Sequence, residues 1–203
     1  MLFEQFWKWL KMKFNLRKLE PMLIDKSREK LLNVIIYFAN NTVYCGKTKL
    51  YKLLYFLDFQ HYQEIGKSVT SLKYFAWKMG PVPVRLEDLF QFPDTFKDYL
   101  EIETIRINKG EMVNFKPKKN FNERIFSRRE IKILESLVKK HRNDLAENMI
   151  EATHLENLPW HKVYEIEKRK QALIPYSYAL KKSEKETMEW LIKEREEVEE
   201  NYK

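Results

Sequence analysis

Residues 75–83 (FAWKMGPVP) leave the backbone few options, because an aromatic run meets a glycine–proline pair there. The chain has only 4 glycines among its 203 residues. A chain so poor in glycine uses one where the backbone needs a positive φ or a close approach, and proline then fixes an extended geometry. The β-branched and aromatic residues from Val69 to Trp77 predict a strand. We therefore expect a strand that ends in a tight turn at Gly80 and Pro81.

An aromatic-coated helix precedes this turn. Residues 49–58 (KLYKLLYFLD) begin a pattern that predicts a helix over about residues 48–63, which Gly66 then ends. Leucines recur at helical spacing and predict a buried stripe: Leu50, Leu53, Leu54 and Leu57. Lys49 and Lys52 are expected nearer the exposed rim of this helix.

The remaining sequence predicts several short elements. The capping-box spacing of Ser127 and Glu130 predicts a helix to about Lys140. Alternating charged and apolar residues predict a hairpin over residues 101–115, with its turn at residues 108–110. Other helices are predicted at residues 25–39, 84–91, 143–152, 159–169 and 183–199. We expect an α+β fold, a mainly helical single domain with a small antiparallel sheet.

The start of the chain predicts a separate amphipathic element. Phe3, Phe6 and Leu10 share one helical face, Trp7 adds to the aromatic load, and Pro21 ends the pattern. Lysines interrupt the apolar residues throughout. A basic aromatic helix of this kind can pack on the domain, lie in a groove of a protein partner, or rest on an anionic membrane.

These patterns divide the chain into three parts. Residues 1–24 are predicted to form the N-terminal basic amphipathic helix. Residues 25–182 are predicted to form the domain itself. Residues 183–203 are predicted to form a C-terminal charged helix, which has few apolar positions.

The net charge limits the kinds of partner that the sequence predicts, and the cysteine content limits the cellular compartment. The formal net charge of +8 suits nucleic acid, an anionic membrane surface or an acidic protein partner, without choosing among them. Thirteen Phe, 11 Tyr and 5 Trp argue against disorder. Cys45 is the single cysteine, so no internal disulfide forms. With no apolar run long enough to cross a bilayer and no signal-peptide pattern, the sequence predicts a cytoplasmic protein.

Candidate chemical motifs are few. His154 and Glu156 offer two metal ligands, but helix positions i and i+2 point apart, and a metal site needs three or four ligands. Nothing in the sequence brings His61 or His161 to them, so a metal-dependent hydrolase centred on His154 is an alternative that lacks ligands. No glycine-rich phosphate loop or local nucleophile–base motif appears. We therefore assign no catalytic residue, cofactor or metal.

Three segments occur in an order that resembles one protein family. They are the helix from Lys49 to Tyr62, the turn at residues 76–82 (AWKMGPV) and residues 152–160 (ATHLENLPW). Over about residues 27–180 the chain is similar to the Panacea domain, also called the SocA-like or phage-associated GepA-type antitoxin domain. The ordered set is more specific than any one of its motifs.

The resemblance implies an antitoxin of a bacterial or phage toxin–antitoxin pair. Such proteins neutralise a cognate protein toxin by direct contact, and some act as adaptors that deliver the toxin to a protease. The resemblance implies no catalytic function. A nucleic-acid-binding regulator is the alternative that the net charge favours, but no helix-turn-helix pattern supports it and the lysines are spread along the chain.

The resemblance and the residue chemistry together assign two groups of residues. The expected structural motif comprises Trp77, Gly80, Pro81, His154, Glu156 and Trp160. The expected partner-binding surface combines basic and aromatic side chains near the turn and on the N-terminal helix: Lys49, Lys52, Tyr55, Phe59, Lys78, Phe3, Phe6, Trp7 and Leu10.

Overall fold

The computed structural model describes residues 26–107, 110–156 and 158–201. The helix predicted at residues 1–24 lies outside the described residues. The described chain begins with two long helices, α1 (Lys26–Asn41) and α2 (Lys47–Ile65). They correspond to the helices predicted at residues 25–39 and 48–63.

Helix α2 is buried on nearly every side. The four leucines of the predicted stripe, Leu50, Leu53, Leu54 and Leu57, have no exposed surface. The helix ends at Gly66, which takes the left-handed conformation (φ 68°) and donates its backbone N–H to the Tyr62 carbonyl. Because its polar positions are covered as well, α2 is the central element on which the rest of the domain packs.

Two antiparallel hairpins flank the helical core. Their strands are β1 (Phe75–Trp77), β2 (Gly80–Val82), β3 (Leu100–Ile107) and β4 (Gly110–Pro117). Trp77 lies opposite Gly80 in the first hairpin, and Ile107 lies opposite Gly110 in the second. The small antiparallel sheet expected from the sequence is thus built as two separate two-stranded sheets.

The strand predicted from Val69 to Trp77 is wrong over residues 69–74, since β1 comprises only Phe75–Trp77. The backbone N–H groups of Val69 and Thr70 donate to the buried Asp58 carboxylate of α2, each at 2.8 Å. The hydroxyl groups of Thr70 and Tyr74 donate to the same carboxylate. Since a side chain on α2 takes these donors, residues 69–72 do not join a strand ladder.

Five further helices complete the described part of the chain. They are α3 (Val84–Phe90), α4 (Arg128–His141), α5 (Ala146–His154), α6 (Pro159–His161) and α7 (Lys182–Asn201). The predicted capping box of α4 is present, with both Ser127–Glu130 hydrogen bonds. The predicted helix over residues 159–169 ends early: α6 continues only as a π-helical turn, Lys162–Ile166, and Lys168 takes a positive φ of 55°.

One hydrophobic core joins these elements. It runs from α1 and α2 through Tyr74 and Ala76 of the first hairpin segment to Leu134 of α4 and Trp160 of α6. The mainly helical α+β domain expected from the sequence is confirmed.

Candidate interaction surface

The three motif segments meet around one buried lysine. Lys52 of α2 donates a hydrogen bond from Nζ to the Pro81 carbonyl at 3.1 Å. Gly80 has a φ of 95°, as its predicted role requires, and a Cβ there would lie 2.8 Å from both Lys52 Cε and Thr153 Oγ1. Glycine is needed for the backbone conformation and for the close approach. The turn therefore sits directly on α2 and on the end of α5.

Trp160 holds the turn from the other side. Its indole Nε1 donates to the Trp77 carbonyl at 2.9 Å, and its backbone N–H donates to the Tyr55 hydroxyl at 3.3 Å. The Trp160 side chain is 2 % exposed. This single residue ties the first hairpin to α2, which supports the architectural role expected of it.

His154 lies flat against Trp160. The two rings stack with centroids 3.7 Å apart and planes 5° apart. Burial lowers the pKa of His154, and the nearby Lys52 charge lowers it further, so the ring is neutral at pH 7. Its Nε2 is buried and has no hydrogen-bond partner among the described residues.

Burial also lowers the pKa of Lys52, to about 7. Among the described residues no counter-charge offsets this effect, and the ammonium group donates to one acceptor, the Pro81 carbonyl. At neutral pH this amine is therefore close to its titration point. Lys52 was predicted to lie at an exposed rim and to bind a partner, and that placement is wrong, since its exposed fraction is 1 %.

Lys49 was also expected at the rim, and it is buried to the same degree. Its Nζ donates to the carbonyl oxygens of Val43 (2.9 Å), Arg142 (2.9 Å) and Asp144 (2.8 Å). Three carbonyls match the three donors of an ammonium group. Lys49 therefore joins the loop before α2 to the loop between α4 and α5, and it is not available to a partner.

Tyr55 and Phe59 do not line an open groove, contrary to the sequence-based expectation. They are 1 % and 4 % exposed, and their rings contact each other with centroids 4.3 Å apart. Tyr176 covers Phe59 at 4.5 Å and donates its hydroxyl hydrogen to the Leu72 carbonyl. The covering segment lies more than a hundred residues further along the chain, so no local pattern indicated it.

The turn itself is exposed at its tip. Trp77 is 40 % exposed and Met79 is 57 % exposed, with the exposed Lys78 between them. Trp77 was assigned to the structural motif, and the structure divides its contribution: its carbonyl is held by Trp160, whereas its side chain is partly exposed. Lys78 lies at the surface, as a partner-binding residue requires.

Leu155 extends this exposed tip. It follows His154 directly at the end of α5 and is 61 % exposed. We call Trp77, Lys78, Met79 and Leu155 the turn surface. Sequence reasoning missed Met79 and Leu155, and the available signal was a large apolar residue placed inside a predicted turn.

A second exposed apolar region lies at the N-terminal end of α2. A groove of about 830 Å³ runs between the tip of the second hairpin and the N-terminal ends of α2 and α5. Exposed apolar residues line or border it: Val43, Tyr44, Ile107 and Leu145. We call this region the hairpin groove, and no sequence pattern predicted it.

The other sequence-based assignments divide as follows. Pro81 is buried beneath the turn, and Glu156 is exposed beyond the end of α5. Within the described residues, no three His, Cys, Asp or Glu side chains come together in a way that could hold a metal ion. The N-terminal partner-binding residues lie outside the described part of the chain: Phe3, Phe6, Trp7 and Leu10.

In the described part of the chain, each helix is too short or too polar to cross a bilayer.

Comparison with known proteins identifies the domain. A family model described as antitoxin SocA-like, Panacea domain, matches residues 50–161, just over half of the chain. This span is shorter than the range of about residues 27–180 expected from the motifs, but it contains Lys52, the Gly80 turn and Trp160. No curated protein and no solved structure matches the chain. The chain therefore belongs to the SocA-like Panacea antitoxin domain family.

Proposed function

We propose that this protein neutralises a cognate protein toxin by binding it directly, without chemistry of its own. Membership of the antitoxin family supports an antitoxin role in general. The proposed place of action is the cytoplasm, where a single cysteine stays reduced. The toxin is the product expected from a neighbouring reading frame.

The observation that carries direct binding is the turn surface. Tryptophan and methionine are enriched at protein interfaces, and here they project from a turn with a basic residue between them. The turn is held by Trp160, by Lys52 and by the close packing of Gly80. A surface that is already ordered loses less conformational entropy on binding.

The buried groups beneath the turn favour a structural role over a catalytic one. Burial lowers the pKa of Lys52 to about 7 and also lowers the pKa of His154, and shifted pKa values of this kind occur in catalytic groups as well. However, Lys52 is 1 % exposed, and its Nζ is covered by the Gly80 backbone. A substrate cannot reach this amine while the turn is in place.

Growth rescue tests the proposal. The product of the adjacent reading frame is induced with and without this chain, and toxicity that this chain suppresses is expected. A Trp77→Ala/Met79→Ala variant should lose suppression, because it removes both apolar side chains of the turn. The matched control is Tyr44→Ala/Leu145→Ala, which removes two exposed apolar side chains from the hairpin groove and should retain suppression.

The outcomes test the antitoxin assignment and the site of binding separately. If the neighbouring product is not toxic, or if its toxicity is unaffected, the antitoxin assignment is wrong. If rescue occurs but only the groove variant loses it, direct neutralisation stands and the turn surface is the wrong site.

Delivery of the toxin to a protease is a further part of the proposal. An adaptor shortens the lifetime of the toxin, whereas a simple blocker leaves it unchanged or longer. A chase of labelled toxin with and without this chain distinguishes them, and an unchanged half-life would show that neutralisation occurs by binding alone.

A nucleic-acid-binding regulator is the second candidate, favoured by the net charge of +8. Part of that charge is used inside the domain, since Lys49 and Lys52 are buried and Lys30 pairs with Glu130. Filter binding over a salt series tests this candidate. Tight binding that weakens steeply with salt would favour it, whereas no binding would exclude a phosphate-driven mode.

A further inference from the structure

The outer face of α7 is an unpartnered surface among the described residues. Trp190 is 60 % exposed and Leu191 is 37 % exposed on this helix. Glu186 and Glu194 lie four residues before and after Trp190, and both are exposed. Residues four apart share a helical face, so the indole lies between two carboxylates.

The inner face of α7 fixes which side is outward. Met188 is buried, and Met188 Sδ and Ile192 Cγ1 each lie 2.7 Å from the position of a Cβ on Gly66. Arg195 donates from its guanidinium to the Ile65 carbonyl at 2.7 Å. These contacts hold α7 against the C-terminal end of α2 and leave Trp190 on the solvent side.

The charge of α7 selects a basic partner for this face. Over Lys182–Asn201 the sequence has eight glutamates and four cations. A second copy of α7 would bring like charges together, which disfavours a symmetric pair through this face. A phosphate backbone is disfavoured for the same reason.

Residues 1–24 have the complementary chemistry. They contain five cations (Lys8, Lys11, Lys13, Arg17 and Lys18) and two acids (Glu4 and Glu20). Phe3, Phe6 and Leu10 recur at helical spacing and form an apolar stripe that matches an apolar strip flanked by carboxylates. The charge and the apolar stripe both suit the outer face of α7.

The start of α1 lies at the same end of the molecule as α7. Lys30 in α1 pairs with Glu130 at 2.5 Å, and the adjacent Arg129 pairs with Glu64 near the end of α2 at 3.1 Å. Helix α7 contacts α2 beside Glu64, at Ile65 and Gly66. The described chain thus begins in a helix whose first turns lie near the end of α2 that α7 contacts.

The length of a helix over residues 3–18 is also similar to that of α7. A helix rises about 1.5 Å per residue, so the 20 residues of α7 span roughly 30 Å and residues 3–18 would span roughly 24 Å. Residues 19–25 would then connect the docked helix to the start of α1, and a connection of this length is common between neighbouring helices.

We propose that residues 1–24 dock as a basic amphipathic helix on the outer face of α7, covering Trp190 and Leu191 within the same chain. This inference is independent of the toxin. It assigns the N-terminal segment to the scaffold and leaves the turn surface to the partner.

Zero-length cross-linking of the full chain tests the docking directly. A carbodiimide joins an amine to a carboxylate only where the two are in contact. Cross-links from Lys11 or Lys13 to Glu186 or Glu194 are expected in the monomer fraction. In an equal mixture of light and heavy isotope-labelled chains, these cross-links should join like-labelled peptides.

Hydrogen exchange with charge reversal supplies the energetic test. The amides of residues 3–14 should be protected in the full chain, and Glu186→Lys/Glu194→Lys should reduce that protection at least tenfold. Adding Lys11→Glu/Lys13→Glu to this variant should restore protection. The matched control, Glu101→Lys/Glu151→Lys, changes the net charge equally at exposed sites away from α7 and should leave it unchanged.

Three results would overturn the proposal. The first is an N-terminal segment with no protection in the full chain. The second is protection that appears only with anionic vesicles or with the toxin. The third is a set of cross-links that join differently labelled chains, which would show that the segment docks on a second copy.

Discussion

Lys49 and Lys52 lie three residues apart on α2 and are equally buried, yet their ammonium groups have different surroundings. Lys49 donates to three backbone carbonyls, whereas Lys52, within the described residues, donates to one, that of Pro81. A buried cation is stable where hydrogen bonds replace the water it has lost. The ammonium group of Lys49 is thus fully hydrogen-bonded, whereas that of Lys52 is only partly so.

The difference shows how the domain separates stability from recognition. Lys49 joins two loops that border the hairpin groove. Lys52, one helical turn further along α2, lies under Gly80, and the turn above it presents Trp77 and Met79 to solvent. The residues around Lys52 therefore support the turn, and the exposed tip of the turn is accessible to a partner.

The largest expected effect is at Lys49. Lys49→Met should destabilise the protein by about 3–5 kcal/mol, because three carbonyls would lose their donor in a dry site. Lys52→Met should change stability by less than about 1 kcal/mol at pH 7, because it removes one hydrogen bond and also a poorly compensated charge. Urea denaturation of both variants measures the contrast. Equal losses of unfolding free energy in the two variants would show that the two lysines contribute equally to stability.

The second effect concerns Gly80. Gly80→Ala should cost about 2–4 kcal/mol, since the residue has a positive φ and the added Cβ would contact Lys52 and Thr153. Combining it with Lys52→Ala should cost less than the two single losses together, because the side-chain end that blocks the Cβ is gone. A double-mutant cycle by thermal denaturation measures this coupling. Additive losses would assign the strain to the backbone and to the contact with Thr153, and not to Lys52.

The third effect is a pH dependence that belongs to Lys52. Its pKa is lowered to about 7 in the folded state and is 10.5 in the unfolded chain. Between these values the unfolded state binds more protons, so stability should rise as pH increases from 7 towards 10.5 and fall as pH decreases through that window. The wild type should gain about 2 kcal/mol between pH 7 and pH 9 relative to Lys52→Met. Parallel pH profiles of the two proteins would exclude this assignment.

The smallest stability effect is expected at the turn surface. Trp77→Ala/Met79→Ala should lower the free energy of unfolding by about 1–2 kcal/mol, because Met79 is 57 % exposed and Trp77, at 40 % exposed, has only part of its side chain packed on the domain. Thermal denaturation checks this, with Trp160→Ala as the buried comparison that should lose about 3–5 kcal/mol. A loss in the turn variant as large as that of Trp160→Ala would show that Trp77 stabilises the protein as a core residue does.

The sequence predicted the parts that local chemistry controls. Gly80 takes a positive φ in the predicted turn, Gly66 takes a positive φ where α2 ends, and the leucine stripe of α2 is buried. The ordered motifs also indicated the family, which the match to residues 50–161 confirms. These features depend on residues that are close together in the chain.

What the sequence did not reveal depends on distant contacts. Lysine at a helix edge is typical of an exposed rim, but the acceptors of Lys49 come from Arg142 and Asp144, more than ninety residues away. Phe59 is covered by Tyr176 from the far end of the domain. Partner-binding residues assigned from helix periodicity were therefore buried, and the exposed Met79 and Leu155 were missed.

The decisive experiment is a binding titration between this chain and the purified product of the adjacent reading frame. We predict a stoichiometric complex with the wild type, at least tenfold weaker binding of Trp77→Ala/Met79→Ala, and unchanged binding of Tyr44→Ala/Leu145→Ala. Thermal denaturation must first show that both variants are folded at the temperature of the titration. No complex with the wild type, or equal affinity of the turn variant and the wild type, would contradict direct neutralisation through the turn surface.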